Sequence, residues 1–109
     1  MSKISTRTAY GEALAAIGGD ERIIVLDADL QCCTRTEKFA ALYPERSRNV
    51  GIAEANMVGI ACGMSAVGFK PIVHTFGPFA SRRCYDQVFL SGAYAGNSVT
   101  VIGSDPGIT

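Results

Sequence analysis

The chain has no concentration of positive charge. Ten Lys and Arg are offset by ten Asp and Glu, and Arg82 and Arg83 are the only adjacent basic pair. A nucleic-acid footprint is therefore unsupported, as is electrostatic attachment to a membrane. Metal-ligand spacing is also missing: Cys32, Cys33, Cys62 and Cys84 form no C-x-x-C pattern, and His74 is the single histidine. No metal site is expected from this chain, and the thiols read as reduced. The N-terminus MSKISTRTAY lacks the apolar segment of a signal peptide, which points to a cytoplasmic protein. The apolar run Ala55–Phe69 is too short for the roughly twenty residues of a membrane span. Linkers, repeats and low-complexity segments are absent as well.

What remains is a chain of 109 residues with 48% hydrophobic residues, 18% charged residues and 12 glycines. These values describe one well-buried domain with tight turns. Short apolar runs alternate with helical patterns. A first helix is expected over Thr6–Ile17, capped by Ser5 or Thr6, with Tyr10, Ala13, Leu14 and Ile17 inward and Gly18 and Gly19 as the stop. Ile23–Leu26 reads as a strand covered on both faces. Leu30–Arg35 reads as a loop, after which Thr34 and Glu37 form a capping box for a helix carrying Phe39, Leu42 and Tyr43 and stopped by Pro44. Further strands are expected at Asn49–Ile52, Pro71–Thr75 and Val99–Ile102. Pro78 opens a long helix with Tyr85, Val88, Phe89 and Gly92 inward. The fold class is α/β, a mostly parallel sheet flanked by helices, in a single unit spanning 1–109. The last strand has no helix after it, so its face would need cover from a partner.

One residue stands out against this scaffold. From Ala55 to Phe69 there is no charge, and Met57, Ile60, Ala61 and Met64 recur with a helical period. Glu54 sits at the lip of that apolar helix. It is either a carboxylate at home on a helix N-terminus or a functional acid. Gly59 and Gly63, four apart on the same helix, read as a point where a neighbouring element comes close.

The ordered pieces resemble the pyrimidine-binding domain of transketolases, thiamine-diphosphate enzymes, and most closely the split form with separate N-terminal and C-terminal subunits. They are T-R-T-A-Y-G-E-A-L at Thr6–Leu14, V-L-D-A-D-L at Val25–Leu30, N-V-G-I-A-E-A-N-M-V-G-I-A at Asn49–Ala61, T-F-G-P-F at Thr75–Phe79, R-C-Y-D-Q at Arg83–Gln87 and G-S-D at Gly103–Asp105. The resemblance implies that Glu54 hydrogen-bonds the aminopyrimidine so that its exocyclic nitrogen acts as an internal base. Burial among apolar side chains would keep such a carboxyl protonated. It further implies that Phe79 and Phe76 flank that ring and that Asp29 lies near the cofactor. Arg7 matches an arginine that grips the substrate phosphate. Cys33 stands where transketolases commonly carry a hydroxyl residue. Asp105 stands where many carry a histidine, and so resembles the deoxyxylulose-phosphate synthase branch.

The diphosphate and its Mg2+ are expected on an N-terminal diphosphate-binding partner subunit, since no Gly-Asp-Gly metal motif occurs here. The family's full domain continues past Thr109, whereas Met1 lies just ahead of the first motif. The leading expectation is a truncated C-terminal transketolase subunit that moves a two-carbon ketol unit between sugar phosphates, is inactive alone and belongs to a homo- or hetero-oligomer. The alternatives are a 1-deoxyxylulose-5-phosphate synthase or 2-oxoacid dehydrogenase E1 beta-like component, and a non-catalytic partner-binding module.

Overall fold

The computed structural model describes residues 3–107; Met1 and Thr109, where the two chain-end expectations fall, lie outside them. Helix α1 (Thr6–Ile17) has the expected bounds, because the Ser5 side chain accepts from the Thr8 N–H and supplies a partner for an otherwise orphaned donor. Its C-cap is Gly18, where a Cβ would lie 2.2 Å from the Tyr43 ring, so only glycine fits. The inward face is Gly11 and Leu14, with Tyr10 half-buried; Ala13 and Ile17 are exposed, contrary to the expected stripe.

Strands β1 (Ile23–Asp27), β2 (Ser47–Asn49), β3 (Lys70–Phe76) and β4 (Thr100–Ser104) form one sheet in the order β2-β1-β3-β4. Every pairing is parallel, with Asp27 aligned to both Asn49 and His74, and Phe76 aligned to Ser104. All five residues of β1 are buried, as a central strand covered on both faces requires. Alternation splits the core in two. Leu26 and Val73 pack with Met57, Val58, Ala61 and Cys62 of α4 (Glu54–Ala66) on one face. Ile23 and Val25 pack with Leu14 and with Phe39 of α3 (Glu37–Leu42) on the other. The last strand is covered in part: Val99 and Val101 pack against the α4 cluster, but none of its five residues is buried.

Several local expectations are corrected. Leu30–Arg35 is not a plain loop but holds the short helix α2 (Gln31–Thr34), ended by Arg35 at φ 66°. The Thr34–Glu37 capping box does not form, because the Thr34 hydroxyl is committed to Asp27 and α3 has no side-chain cap bond. Strand β2 ends at Asn49, not Ile52: Gly51 has φ 76° and turns the chain, which leaves Ile52 exposed. Helix α4 is rotated from the expected face, with Val58 and Cys62 buried and Ile60 and Met64 half-buried. Gly59 and Gly63 face open space, so the expected close approach is not made there; across from α4, a Cβ added at Gly92 would be in ordinary contact with the Cys62 sulfur at 3.9 Å. The segment after Pro78 is no single α-helix. π-helical turns at Phe79–Arg83 and Val88–Tyr94 flank the short α5 (Tyr85–Gln87). These wider turns rotate the helix face, so Gly92 is buried and Val88 half-buried while Tyr85 and Phe89 are exposed. Among the described residues no helix is long and apolar enough to cross a membrane.

Candidate active site

The parallel sheet gathers the ends of its strands on one edge, where open α/β sheets bind ligands. Asp27, Asn49, Phe76 and Ser104 close the four strands there, and α1, which leads into the opposite edge, begins there with Arg7. The connection after β1 is built on Asp27, which is 1% exposed. Asp27 Oδ1 accepts the Leu30 N–H at 2.6 Å, and Oδ2 accepts the hydroxyls of Thr34 at 2.6 Å and Thr36 at 3.2 Å. A buried carboxylate supplied with this many donors is satisfied, so Asp27 acts as the organiser of the loop.

Asp29 follows at φ 63° and is exposed. Its N–H donates to Asn49 Oδ1 at 2.9 Å, and Asn49 Nδ2 returns a bond to Asp29 Oδ1 at 3.0 Å. Asn49 Oδ1 also accepts the Gly51 N–H at 3.0 Å. One amide thus clamps the ends of β1 and β2 and shapes the turn that leads to Glu54.

Glu54 is the first residue of α4 and is 4% exposed. The surroundings are not purely apolar, as was expected. Arg83 Nη1 donates to both carboxylate oxygens at 3.4 Å, and its guanidinium lies 3.9 Å from the centre of the Phe79 ring. Phe76 and Phe79 are half-buried, with ring centres 6.1 Å apart and planes tilted by 45°. Glu54, Arg83 and Phe79 form one contact group, and Phe76 extends its aromatic wall. The set fits a flat heteroaromatic ring that offers hydrogen-bonding nitrogens on its rim. Among the described residues there is no group of three or more His, Cys, Asp or Glu that could hold a metal ion.

Arg7, Cys33 and Asp105 form a second group. Arg7 Nη1 donates to the Cys33 carbonyl at 3.2 Å and lies 4.0 Å from Asp105 Oδ2. Both charged side chains are more than a third exposed, so the pair is a loose, solvated one. Arg7 and Asp105 line a cavity of about 410 Å³ with Tyr10, Ile102 and Ser104. Beneath it His74, 1% exposed, meets Tyr10 edge-on with ring centres 4.7 Å apart. Among the described residues, neither His74 nitrogen nor the Tyr10 hydroxyl has a partner. Burial pushes the Tyr10 hydroxyl far above its ordinary value, helped by Asp27, so it stays protonated. Burial lowers His74, with Asp27 and Asp105 opposing.

Sequence reasoning placed Asp27 at the ligand-binding edge but did not give its role as organiser of the loop, and it missed Asn49 and Arg83. An acid closing an apolar strand, followed by two threonines, is a legible trace of the first. The N-x-G of Asn49–Gly51 is a weaker one, and nothing local marks Arg83 as the partner of Glu54.

The family described as "Transketolase, pyrimidine binding domain" matches residues 2–108. The 6-deoxy-6-sulfo-D-fructose transketolase subunit SqwH of Clostridium sp. (strain MSTE9) is 53% identical over 90 residues, covering 83% of this chain and 28% of that protein. A putative transketolase C-terminal section of Methanocaldococcus jannaschii is 39% identical over 104 residues, covering 94% of this chain and 33% of that one. Among solved structures, a split gene transketolase described as an inactive beta4 tetramer superposes with a TM-score of 0.84 at 43% identity, over 94% of this chain and 34% of that chain. The chain thus spans about a third or less of the length of these relatives.

Proposed function

Because the chain belongs to the transketolase pyrimidine-binding domain family, we propose that it supplies the aminopyrimidine half of a thiamine diphosphate site in a two-chain transketolase. The observation that carries this reading is the grouping of Glu54, 4% exposed, with the Phe79 ring through Arg83 at the ligand-binding edge. Thiamine diphosphate, bound between the two chains, would supply the chemistry of two-carbon ketol transfer. The residues of this chain position that cofactor. Glu54 hydrogen-bonds a ring nitrogen of the aminopyrimidine, and Phe79 and Phe76 hold its plane. Asp29, fixed by Asn49, borders the cofactor. Arg7 binds the phosphate of the sugar substrate, beside Cys33 and Asp105.

Diphosphate and Mg2+ fall to an N-terminal partner subunit. The test is to mix this chain with such a subunit, thiamine diphosphate and Mg2+. Exchange of the thiazolium C2 proton for deuterium and ketol transfer from a ketose phosphate are then followed. Glu54→Gln should slow both by about a hundredfold or more, and each chain alone should be inactive. Full activity of Glu54→Gln, or turnover without a partner, would refute the assignment.

A second reading has one feature in its favour. Asp105, 4.0 Å from Arg7, is the residue that resembles the branch with a 2-oxoacid donor such as pyruvate, as in 1-deoxyxylulose-5-phosphate synthase or a 2-oxoacid dehydrogenase. Consumption of pyruvate by the assembled complex, with none of a ketose phosphate, would select it.

A further inference from the structure

Cys32 and Cys33 are neighbours on α2, and both are free thiols. Adjacent side chains on a helix ordinarily point apart, yet these two sulfurs lie 4.0 Å from one another. The backbone that carries them is held on two sides. Asp27 accepts the Leu30 N–H and the Thr34 hydroxyl at 2.6 Å each, and Arg7 donates to the Cys33 carbonyl at 3.2 Å. Cys32 is exposed and Cys33 half-buried, so the pair is pre-organised and open to solvent. We propose that Cys32 and Cys33 form a vicinal dithiol site for a trivalent, thiophilic arsenical, a site independent of thiamine diphosphate.

Geometry favours a bridging atom over a direct disulfide. Consecutive Cα atoms are about 3.8 Å apart, closer than the roughly 4.4–6.8 Å that a disulfide prefers, so an S–S bond here would be strained. A bridging arsenic atom removes the need for the sulfurs to meet. Chemistry points the same way. The Cys33 thiol is pushed above its ordinary value by its hydrogen bond to Cys32, then by the charge of Cys32 and by burial; Arg7 opposes this and Asp105 adds to it. A protonated thiol is a poor nucleophile for disulfide formation. Condensation with an arsenic(III) oxide uses both thiols as they are. Two S–H bonds and the As–O double bond break, two As–S bonds form, and the oxygen leaves with both protons as water. Arsenic stays trivalent throughout and no oxidant is consumed. The other two cysteines do not compete, since Cys62 and Cys84 are buried.

Phenylarsine oxide is the probe, and intact mass of the native chain is the readout. The expected result is one phenylarsenic adduct per chain that survives excess monothiol and is stripped by excess dithiol. Cys32→Ser and Cys33→Ser should each lose the monothiol-resistant adduct, whereas the Cys62→Ser/Cys84→Ser double variant should keep it. Circular dichroism of the two single variants, matching the unchanged chain, separates loss of the site from loss of the fold. The proposal is overturned by absence of the adduct, by its removal with monothiol, or by its persistence in either folded single variant. None of these readouts depends on cofactor binding or ketol transfer.

Discussion

The hydroxyl of Thr34 donates to the Asp27 carboxylate at 2.6 Å, with both groups fully buried. The bond ties the turn after β1 to the centre of the sheet. A hydrogen bond to a charged acceptor contributes about 1.5–3 kcal/mol, so Thr34→Val, which keeps the shape and removes the donor, should cost about that much in urea unfolding. Thr36→Val should cost less, because its bond to the same oxygen is longer at 3.2 Å. Equal losses, or none at Thr34, would contradict this account of the loop.

Arg83 serves Glu54 with charge and Phe79 with a stacked plane. Arg83→Met leaves a buried carboxylate without its cation and should destabilise by about 1–3 kcal/mol; full burial of both partners would cost more, and Arg83 is half exposed. Adding Glu54→Gln removes the stranded charge. The double variant should therefore be more stable than the sum of the single losses implies, a coupling that a double-mutant cycle reads directly. Strict additivity would mean that the two residues do not interact.

Arg46 gathers three carbonyls, donating to Gly18 at 2.6 Å, Asp20 at 2.8 Å and Ile23 at 3.0 Å. Its guanidinium also lies 4.3 Å from the Tyr43 ring centre. The fork joins the end of α1 to the start of β1, a task that a single ammonium group performs poorly. Arg46→Lys should lose about 1–3 kcal/mol in chemical denaturation. A lysine variant as stable as the parent would show that the carbonyls are satisfied without the fork.

His74 should give stability a pH dependence. Burial lowers it below its ordinary value of 6.5, so the unfolded chain takes up that proton first as pH falls. The stabilisation is full above about pH 6.5 and is lost below it, down to the depressed value of the folded state. Between about pH 7 and pH 5 the urea midpoint of the unchanged chain should fall more than that of His74→Phe, which keeps the ring without the titration. Parallel curves would sink the idea.

What could be read from the sequence follows the range of the interactions involved. The bounds of α1 were legible because Ser5 and Gly18 act within a turn of the helix they close. The buried run of β1 was legible because both its faces are covered. Glu54 at the head of α4 stood out where an uncharged run begins, whereas Phe76 and Phe79 were marked only by the resemblance. Strand β2 was misplaced because a three-residue edge strand with two exposed positions carries no usable period. The bonds of Asp27, the clamp of Asn49 and the Arg83–Glu54 pair stayed hidden, since each depends on which strand ends the fold brings side by side. Tyr85 and Phe89 were turned inward on paper by a period that the π-helical turns do not keep.

Parallel pairing throughout the sheet also constrains how the chain is built in time. Asp20 and Lys70, which meet at 3.1 Å just where β1 and β3 begin to pair, are 50 residues apart along the chain. No tight hairpin nucleates that contact, and a long loop must close first. During synthesis β1 therefore leaves the ribosome well before its central neighbour exists, with a nearly all-apolar strand and two open edges. The interval until β3 emerges is when this chain is most open to mispairing with another copy of itself or to capture by a chaperone.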